Sequence, residues 1–457
     1  MSTSDFSSLG LQAGLLKNLS TLGYEQMTPI QALSLPLILE GKDMIGQGKT
    51  GSGKTAAFGL GLLHKLNVKS YKIQSIVLCP TRELADQVAS EIRKLARAIH
   101  NIKILTLCGG APFGPQIGSL EHGAHIVVGT PGRIEEHLRK KTLKLDHVEM
   151  LVLDEADRML DMGFQDAIDD IVEKIPSNRQ TLLFSATYPQ EIEDIAMRVM
   201  NNPAVVNAPS THEASTIKQY FYQTNTDDER MNALRILLAK HKPDSALVFC
   251  NTKLDTQDVA DELAHYGFYA LAIHGDLDQR ERDQALIRFS NKSVSVLVAT
   301  DVAARGLDIE ALDLVVNFNL AHDPEVHVHR IGRTGRAGRS GIAATLYGDR
   351  ETRKLDALEI EITDDALPSD DLLDRPIKKP TMTTLKIDGG KKQKLRPGDI
   401  VGGLTGKDGI PGSAIGKITV SSNWSYVAVE SGLVKSALKK IQNDKLKGRT
   451  FRVRILS

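Results

Sequence analysis

Short β-rich apolar runs alternate with longer segments of helical period, and the alternation occurs twice along the chain. In the first series the runs are Ser75–Cys79, Ile104–Leu107, His125–Gly129, Met150–Leu153 and Thr181–Phe184, preceded by a shorter one at Met44–Ile45. In the second they are Ala246–Cys250, Ala270–Ile273, Val294–Ala299, Leu314–Phe318 and Ala343–Tyr347. Strands apolar on both faces, bounded by turns and separated by helices, belong to parallel sheets covered by helices on both sides. The pattern therefore predicts two tandem α/β domains joined near Asn207–Ser215. There is no short repeat period, which argues against a solenoid.

Beyond Tyr347 the pattern changes. An acidic stretch, Glu359–Asp374, and a basic Pro-containing junction, Arg375–Pro380, lead into a third unit. Its order reads strand (Thr383–Ile387), helix (Pro397–Leu404), strand (Gly416–Val420), strand (Tyr426–Val429), helix (Gly432–Gln442), strand (Thr450–Leu456). This βαββαβ order predicts a small α+β domain of the split-βαβ kind. The expected boundaries are 1–208, 215–365, a linker at 366–380, and 381–457. Three domains suit 457 residues at roughly 150 residues each.

Charge separates the third unit from the rest. From Lys378 to Ser457, 17 Lys+Arg face 5 Asp+Glu, a net of +12; because the whole chain balances 57 against 57, residues 1–377 carry −12. A folded tail this basic is the footprint of a nucleic-acid binder. Lys391, Lys392, Lys394, Arg396, Lys417, Lys445, Lys447, Arg449, Arg452 and Arg454 are its candidate groove. No apolar run is long enough to span a bilayer, and the first ten residues lack a basic, then apolar, leader. Three scattered cysteines, Cys79, Cys108 and Cys250, read as small buried hydrophobes. His322, His327 and His329 are spaced by five and two, which does not share a helix face, so no structural metal is expected. A cytoplasmic protein with no membrane partner is the expectation.

One segment carries recognisable chemistry. Gly48, Lys49, Thr50, Gly51, Ser52, Gly53, Lys54 and Thr55 fit G-x-x-x-x-G-K-[ST] at every fixed position, between a short strand and a helical segment. Its glycines let backbone N–H groups approach phosphates, and the following helix adds positive potential. Lys54 would meet the β- and γ-phosphates of ATP, and the Thr55 hydroxyl would ligate Mg²⁺. Asp154 and Glu155 follow Met150–Leu153 directly, at the strand end where open α/β sheets bind ligands. Asp154 can hold Mg²⁺ and Glu155 can polarise the attacking water. Arg333 and Arg336, three apart, share one face if the segment is helical and would reach the γ-phosphate as arginine fingers. The second α/β domain has no phosphate loop, so a single nucleotide served by both domains is the economical reading.

Taken in order, these motifs resemble those of the DEAD-box RNA helicases. Phe6 and Tyr24–Gln31 resemble the family's adenine-reading segment. Pro80–Ala85, Gly109–Gly110 and Thr130–Arg133 match its RNA-contacting loops, and Ser185-Ala186-Thr187 its coupling motif. Val248–Thr252, Gln279 with Arg282, and Ala304–Asp308 match the second domain. Gly48 stands where the family usually has Ala, and Tyr24 where it usually has Phe. The resemblance implies two RecA-like domains and ATP contacts from Tyr24, Gln31 and Asp308. It implies coupling of hydrolysis to strand separation by Ser185 and Thr187, and RNA contacts from Arg82, Gly110, Thr130, Arg133, Thr300 and Arg305. An ATP-gated RNA clamp or remodelling scaffold uses the same motifs and is the alternative. The segments Ile387–Lys392, Arg396–Ile400 and Ile415–Ile418 resemble the RNA-binding domain of a ribosome-directed branch of the family. That likeness implies a 23S ribosomal RNA hairpin and pre-large-subunit particles as partners. Tyr426 offers one ring at most on the tail's sheet, which points to the basic groove rather than base stacking as the grip.

Overall fold

The computed structural model describes residues 5–48, 51–188, 190–208, 217–304, 312–335, 340–356, 358 and 366–456. The chain divides into two compact units, the first holding one α/β domain and the second holding the other together with the C-terminal domain.

The first sheet has seven strands: β1 (Met44–Gln47), β2 (Ser75–Leu78), β3 (Ile104–Leu107), β4 (Ile126–Gly129), β5 (Met150–Asp154), β6 (Gln180–Ser185) and β7 (Ala204–Asn207). All pairs are parallel, in the order β3-β4-β2-β5-β6-β1-β7. β2, β4, β5 and β6 are buried along their whole length. Apolar clusters lie on either side of the sheet, one including Phe58, Val77 and Phe184, the other Ile76, Leu151 and Leu183. This is the two-faced core that the apolar runs demand.

The second sheet comprises β8 (Ile217–Gln223), β9 (Ala246–Cys250), β10 (Ala270–Ile273), β11 (Val296–Thr300), β12 (Leu314–Asn317) and β13 (Gly341–Tyr347). It is also parallel, ordered β10-β11-β9-β12-β13-β8. Two strands go beyond the apolar runs of the sequence, β7 and β8, and both are edges. β7 buries only Val206, and β8 carries Lys218, Gln219 and Gln223 among its aromatic residues. An edge strand needs little apolar surface, so it leaves little pattern.

The C-terminal domain has an antiparallel sheet of β14 (Met382–Ile387), β15 (Ile415–Val420), β16 (Ser425–Glu430) and β17 (Val453–Ile455), ordered β15-β16-β14-β17. With helices at Pro397–Thr405 and Val434–Asn443, this is the expected βαββαβ arrangement. Leu385, Ile387, Val427 and Val429 form its core with Ile400, Leu404, Ala437 and Ile441 of the helices. Within the same unit, Lys378 of the basic junction bonds Asp244 at 2.8 Å, fastening the junction to the second α/β domain. The three cysteines are buried and free. Among the described residues no helix is long and apolar enough to cross a membrane.

Candidate nucleotide site and nucleic-acid surfaces

The phosphate loop leaves β1 beside β6, where the Gly48 N–H donates to Ser185 O at 3.0 Å. The helix Lys54–Lys65 starts from Gly53, whose φ of 98° requires glycine. A Cβ at Gly53 would also fall 2.5 Å from Gln31 Nε2. Gln31 itself is buried; its Nε2 donates to Gly53 O at 3.1 Å, and its Oε1 accepts from Thr28 N at 2.9 Å. Thus the helix Pro29–Glu40 and the phosphate loop are held together by one amide. Lys54 is buried, with Nζ donating to Gly48 O at 2.6 Å. Tyr24 places its ring edge-on to Phe6 and donates its hydroxyl to Glu91 at 2.8 Å. Lys49 and Thr50 lie outside the described residues, as do Asp308, Arg305 and Arg336.

Asp154 ends β5 and is 3% exposed. Burial pushes its carboxyl up to about 7, opposed by the Lys54 charge and reinforced by Glu155. Asp154 Oδ1, Ser52 Oγ and Ser185 Oγ are buried without a protein partner. An acidic oxygen buried in this way near the Lys54 charge fits a hard cation with oxygen ligands. Glu155 has a left-handed φ of 53° and a buried ion pair to Arg158 at 2.8 Å. Asp157, which the sequence did not single out by role, reaches across to the coupling motif. Its Oδ2 accepts from the backbone N–H groups of Ala186 and Thr187, both at 3.2 Å, and from Thr187 Oγ1 at 3.1 Å.

Arg82, Gly110, Thr130 and Arg133 also assemble at strand ends. Arg82 opens the helix Arg82–Leu95, capped by Thr81, and its guanidinium covers Gly110 so closely that a Cβ there would lie 2.0 Å from Nη1. Thr130 precedes the helix Pro131–Arg139 and donates its N–H to Leu107 O at 3.2 Å. Arg133 Nη1 donates to Ala111 O at 3.0 Å and Gln116 Oε1 at 2.8 Å.

In the second α/β domain the helix Pro324–Ile331 ends at Gly332. Arg333 therefore lies beyond this helix, and Arg336 lies outside the described residues. Arg330, one turn earlier, is the organising side chain. It pairs with both oxygens of Asp301 at 2.7 Å and donates to Asn319 O and Asn251 Oδ1, each at 2.7 Å. Thr300 ends β11 and accepts from the Ala303 N–H at 3.4 Å. His327, buried against Phe221, bonds Gln219 at 3.0 Å.

The ten basic tail residues are all exposed. Lys391 and Lys392 donate their N–H groups to Ser421 O and Ser422 O, and Lys447 Nζ donates to Lys394 O at 2.9 Å. One basic loop is thereby tied to the uncharged turn at Ser421–Ser422 and to a second basic loop, at one edge of the domain. The sheet face opposite the helices packs on the second α/β domain within the same unit. Thr384 and Ser293 hydroxyls share a 2.7 Å hydrogen bond, Asn291 Nδ2 donates to Thr384 Oγ1 at 3.3 Å, and Arg280 lies 5.3 Å from the Trp424 ring centre. Tyr426 is 1% exposed. Its ring is spent on packing, which is why it offers no stacking platform.

Comparisons with known proteins agree along the chain. Residues 28–195 match the DEAD/DEAH box helicase family, residues 229–338 the helicase conserved C-terminal domain, and residues 384–455 the DbpA RNA binding domain. The chain is 54% identical over 456 residues to the ATP-dependent RNA helicase DbpA of Escherichia coli (strain K12), covering 99% of both chains. It is 45% identical to the DEAD-box ATP-dependent RNA helicase CshA of Bacillus subtilis (strain 168), over 78% of this chain and 72% of the relative. Among solved structures, S. cerevisiae Dbp5 bound to RNA and ADP BeF3 superposes with a TM-score of 0.72 at 31% identity, covering 79% of this chain and 95% of that one.

Proposed function

This chain belongs to the DEAD-box ATP-dependent RNA helicases, and on that premise we propose that its C-terminal domain directs it to a 23S ribosomal RNA hairpin during large-subunit assembly. One observation carries the reading: the segment matching the DbpA RNA binding domain, 384–455, coincides with the segment of net charge +12, 378–457. The exposed side chains of Lys391, Lys392, Lys394, Arg396, Lys417, Lys447 and Arg449 supply phosphate contacts, while RNA shape and base edges supply discrimination.

In the core, backbone N–H groups of residues 48–55 cradle the phosphates of ATP, with Lys54 offsetting their charge and Tyr24, Gln31 and Asp308 completing the nucleotide contacts. Asp154 and Thr55 would hold Mg²⁺, whose charge further neutralises the β- and γ-phosphates. Glu155 orients the water that attacks the γ-phosphorus as the bond to ADP breaks. Arg333 and Arg336 spread the charge that develops there. Arg82, Gly110, Thr130, Arg133, Thr300 and Arg305 grip the RNA strand. Ser185 and Thr187, the latter held by Asp157, link hydrolysis to strand separation. The protein works in the cytoplasm, on particles that contain its RNA.

Crosslinking of bound RNA in cells, mapped onto ribosomal RNA, tests the proposal. Crosslinks concentrated in one hairpin region of 23S RNA support it; crosslinks spread in proportion to transcript abundance refute it.

A further inference from the structure

Beneath the RNA-facing loops of the first α/β domain lies a buried polar group with no role in the reading above. Gln116, in the helix Phe113–Glu121, and His137, in the helix Pro131–Arg139, are 8% and 0% exposed and bond each other at 2.9 Å. Gln116 Nε2 donates to Cys108 O at 3.0 Å, immediately before Gly109-Gly110. Its Oε1 accepts from Arg133 Nη1 at 2.8 Å. Turning the amide over would set NH₂ against the Arg133 donor and oxygen against the Cys108 carbonyl, so these partners fix its orientation.

The imidazole is fixed by the same logic. Because Gln116 Oε1 accepts, His137 Nε2 carries the proton. Nδ1 then accepts from the Thr142 hydroxyl at 2.8 Å. Phe113 stacks on the imidazole at 4.2 Å between ring centres, with the planes 18° apart. Lys140 Nζ lies 4.1 Å from the centre of the Phe113 ring, and Arg133 Cζ lies 5.4 Å away. The amide and the imidazole thus sit under an aromatic cover, each with its polar atoms paired. A satisfied buried network of this kind holds one geometry, since any rotation leaves a buried group unpaired.

We propose that Gln116 and His137 are positioning residues for Arg133. They lock the Gly109-Gly110 loop to the Thr130–Arg133 loop so that both present one pre-set surface to the RNA strand. The inference rests on the reading of Arg133 as an RNA contact. Without the Gln116 oxygen, Arg133 keeps Ala111 O and its 3.1 Å pair with Glu136, and it swings toward that carboxylate. Arginine side chains lose affinity when their fork is not pre-organised.

The test is a double-mutant cycle in the full chain: parent, Arg133→Ala, Gln116→Leu and both together. The readout is the concentration of a single-stranded homopolymer RNA giving half-maximal ATP turnover, separated from the rate at saturating RNA. Gln116→Leu should raise that concentration roughly tenfold, the effect of one lost hydrogen bond to a charged group. In the Arg133→Ala background the same change should shift it less than about twofold, because there is no guanidinium left to position. If Arg133→Ala alone shifts nothing, the RNA-contact reading fails and takes the inference with it. If Arg133→Ala weakens RNA while Gln116→Leu does not, or the two effects multiply in full, the reading stands and the positioning role is overturned. Should Gln116→Leu not fold, Thr142→Val against Thr142→Ser asks the same question. Valine removes the hydroxyl that sets the imidazole and should raise half-saturation; serine should restore it, and equal values for the two overturn the proposal.

Discussion

Asp157 and Thr187 meet through a 3.1 Å hydrogen bond from hydroxyl to carboxylate, and the same Asp157 oxygen accepts two backbone N–H groups of the Ser185-Ala186-Thr187 segment. Because Asp157 stands three residues after Asp154, these bonds join the segment that follows β5 to the end of β6. Thr187→Ala removes one of the three bonds and leaves Asp154 and Glu155 in place. ATP turnover should stay within a few-fold of the parent while duplex separation falls at least tenfold. Parallel ATPase and strand-displacement assays check this; a proportional fall in both contradicts it.

The catalytic assignment gives a sharper expectation. Glu155→Gln keeps the size of the side chain but removes the carboxylate that orients water, so turnover should drop by about 10²–10⁴, the usual contribution of a general base. Nucleotide should still bind, as followed by a fluorescent ATP analogue. Lys54→Ala removes the ammonium that lies on the loop at Gly48 O and should weaken nucleotide binding as well as turnover. Near-parental turnover in either variant would exclude the assigned roles.

How much of this was legible in the sequence depended on where each residue sits. Interior strands such as Val77 and Leu151 are apolar on both faces and announce a parallel sheet. The edges β7 and β8 bury too little to do so. The phosphate loop and the Asp154-Glu155 pair were readable because their chemistry fixes local spacing. Pairings across loops were not: His137 and Gln116 are 21 residues apart, Arg330 and Asp301 29, and only the sheet order brings them together. The spacing of Arg333 and Arg336 allows a shared helix face only if the segment is helical, and Arg333 lies past the end of the helix Pro324–Ile331. Tyr426, the one ring the tail's sheet could offer, is buried because the second α/β domain covers that sheet face.

Arg330 and Asp301 form a buried bidentate pair that also gathers Asn251 and Asn319, at the ends of β9 and β12. Removing one partner leaves the other charge buried. Asp301→Ala should therefore destabilise the second α/β domain by about 3–5 kcal/mol, toward the lower end because Asp301 is partly exposed. Denaturant unfolding followed by circular dichroism measures the loss. An unchanged midpoint would mean that solvent replaces the pair.

Buried histidines should make the fold sensitive to acid, His137 and His327 most strongly. Burial lowers His137 from an ordinary 6.5 to about 4, assisted by Arg133 and Lys140 and opposed by Glu136. Burial likewise lowers His327 to about 4, assisted by Arg330. Between those values the unfolded chain binds more protons than the folded one, so stability falls as pH drops from 6.5 toward 4. Above 6.5 these groups contribute no slope. Denaturant midpoints at pH 7 and pH 5 should differ, and the difference should shrink in a His137→Asn, His327→Asn double variant. An equal difference in parent and variant assigns the acid sensitivity to other groups.

Targeting by the basic C-terminal domain is the central claim. Its most direct test is ATP turnover of the full chain with a 23S ribosomal RNA hairpin fragment and with homopolymer RNA of equal length, repeated after charge reversal at Lys391, Lys392 and Arg396. The parent should respond far more strongly to the ribosomal fragment. Charge reversal should raise the fragment concentration needed and flatten its dependence on salt, because fewer counterions are released per complex. If the parent responds equally to both RNAs, or if the charge-reversed chain keeps its preference and salt slope, selection does not reside in the C-terminal domain.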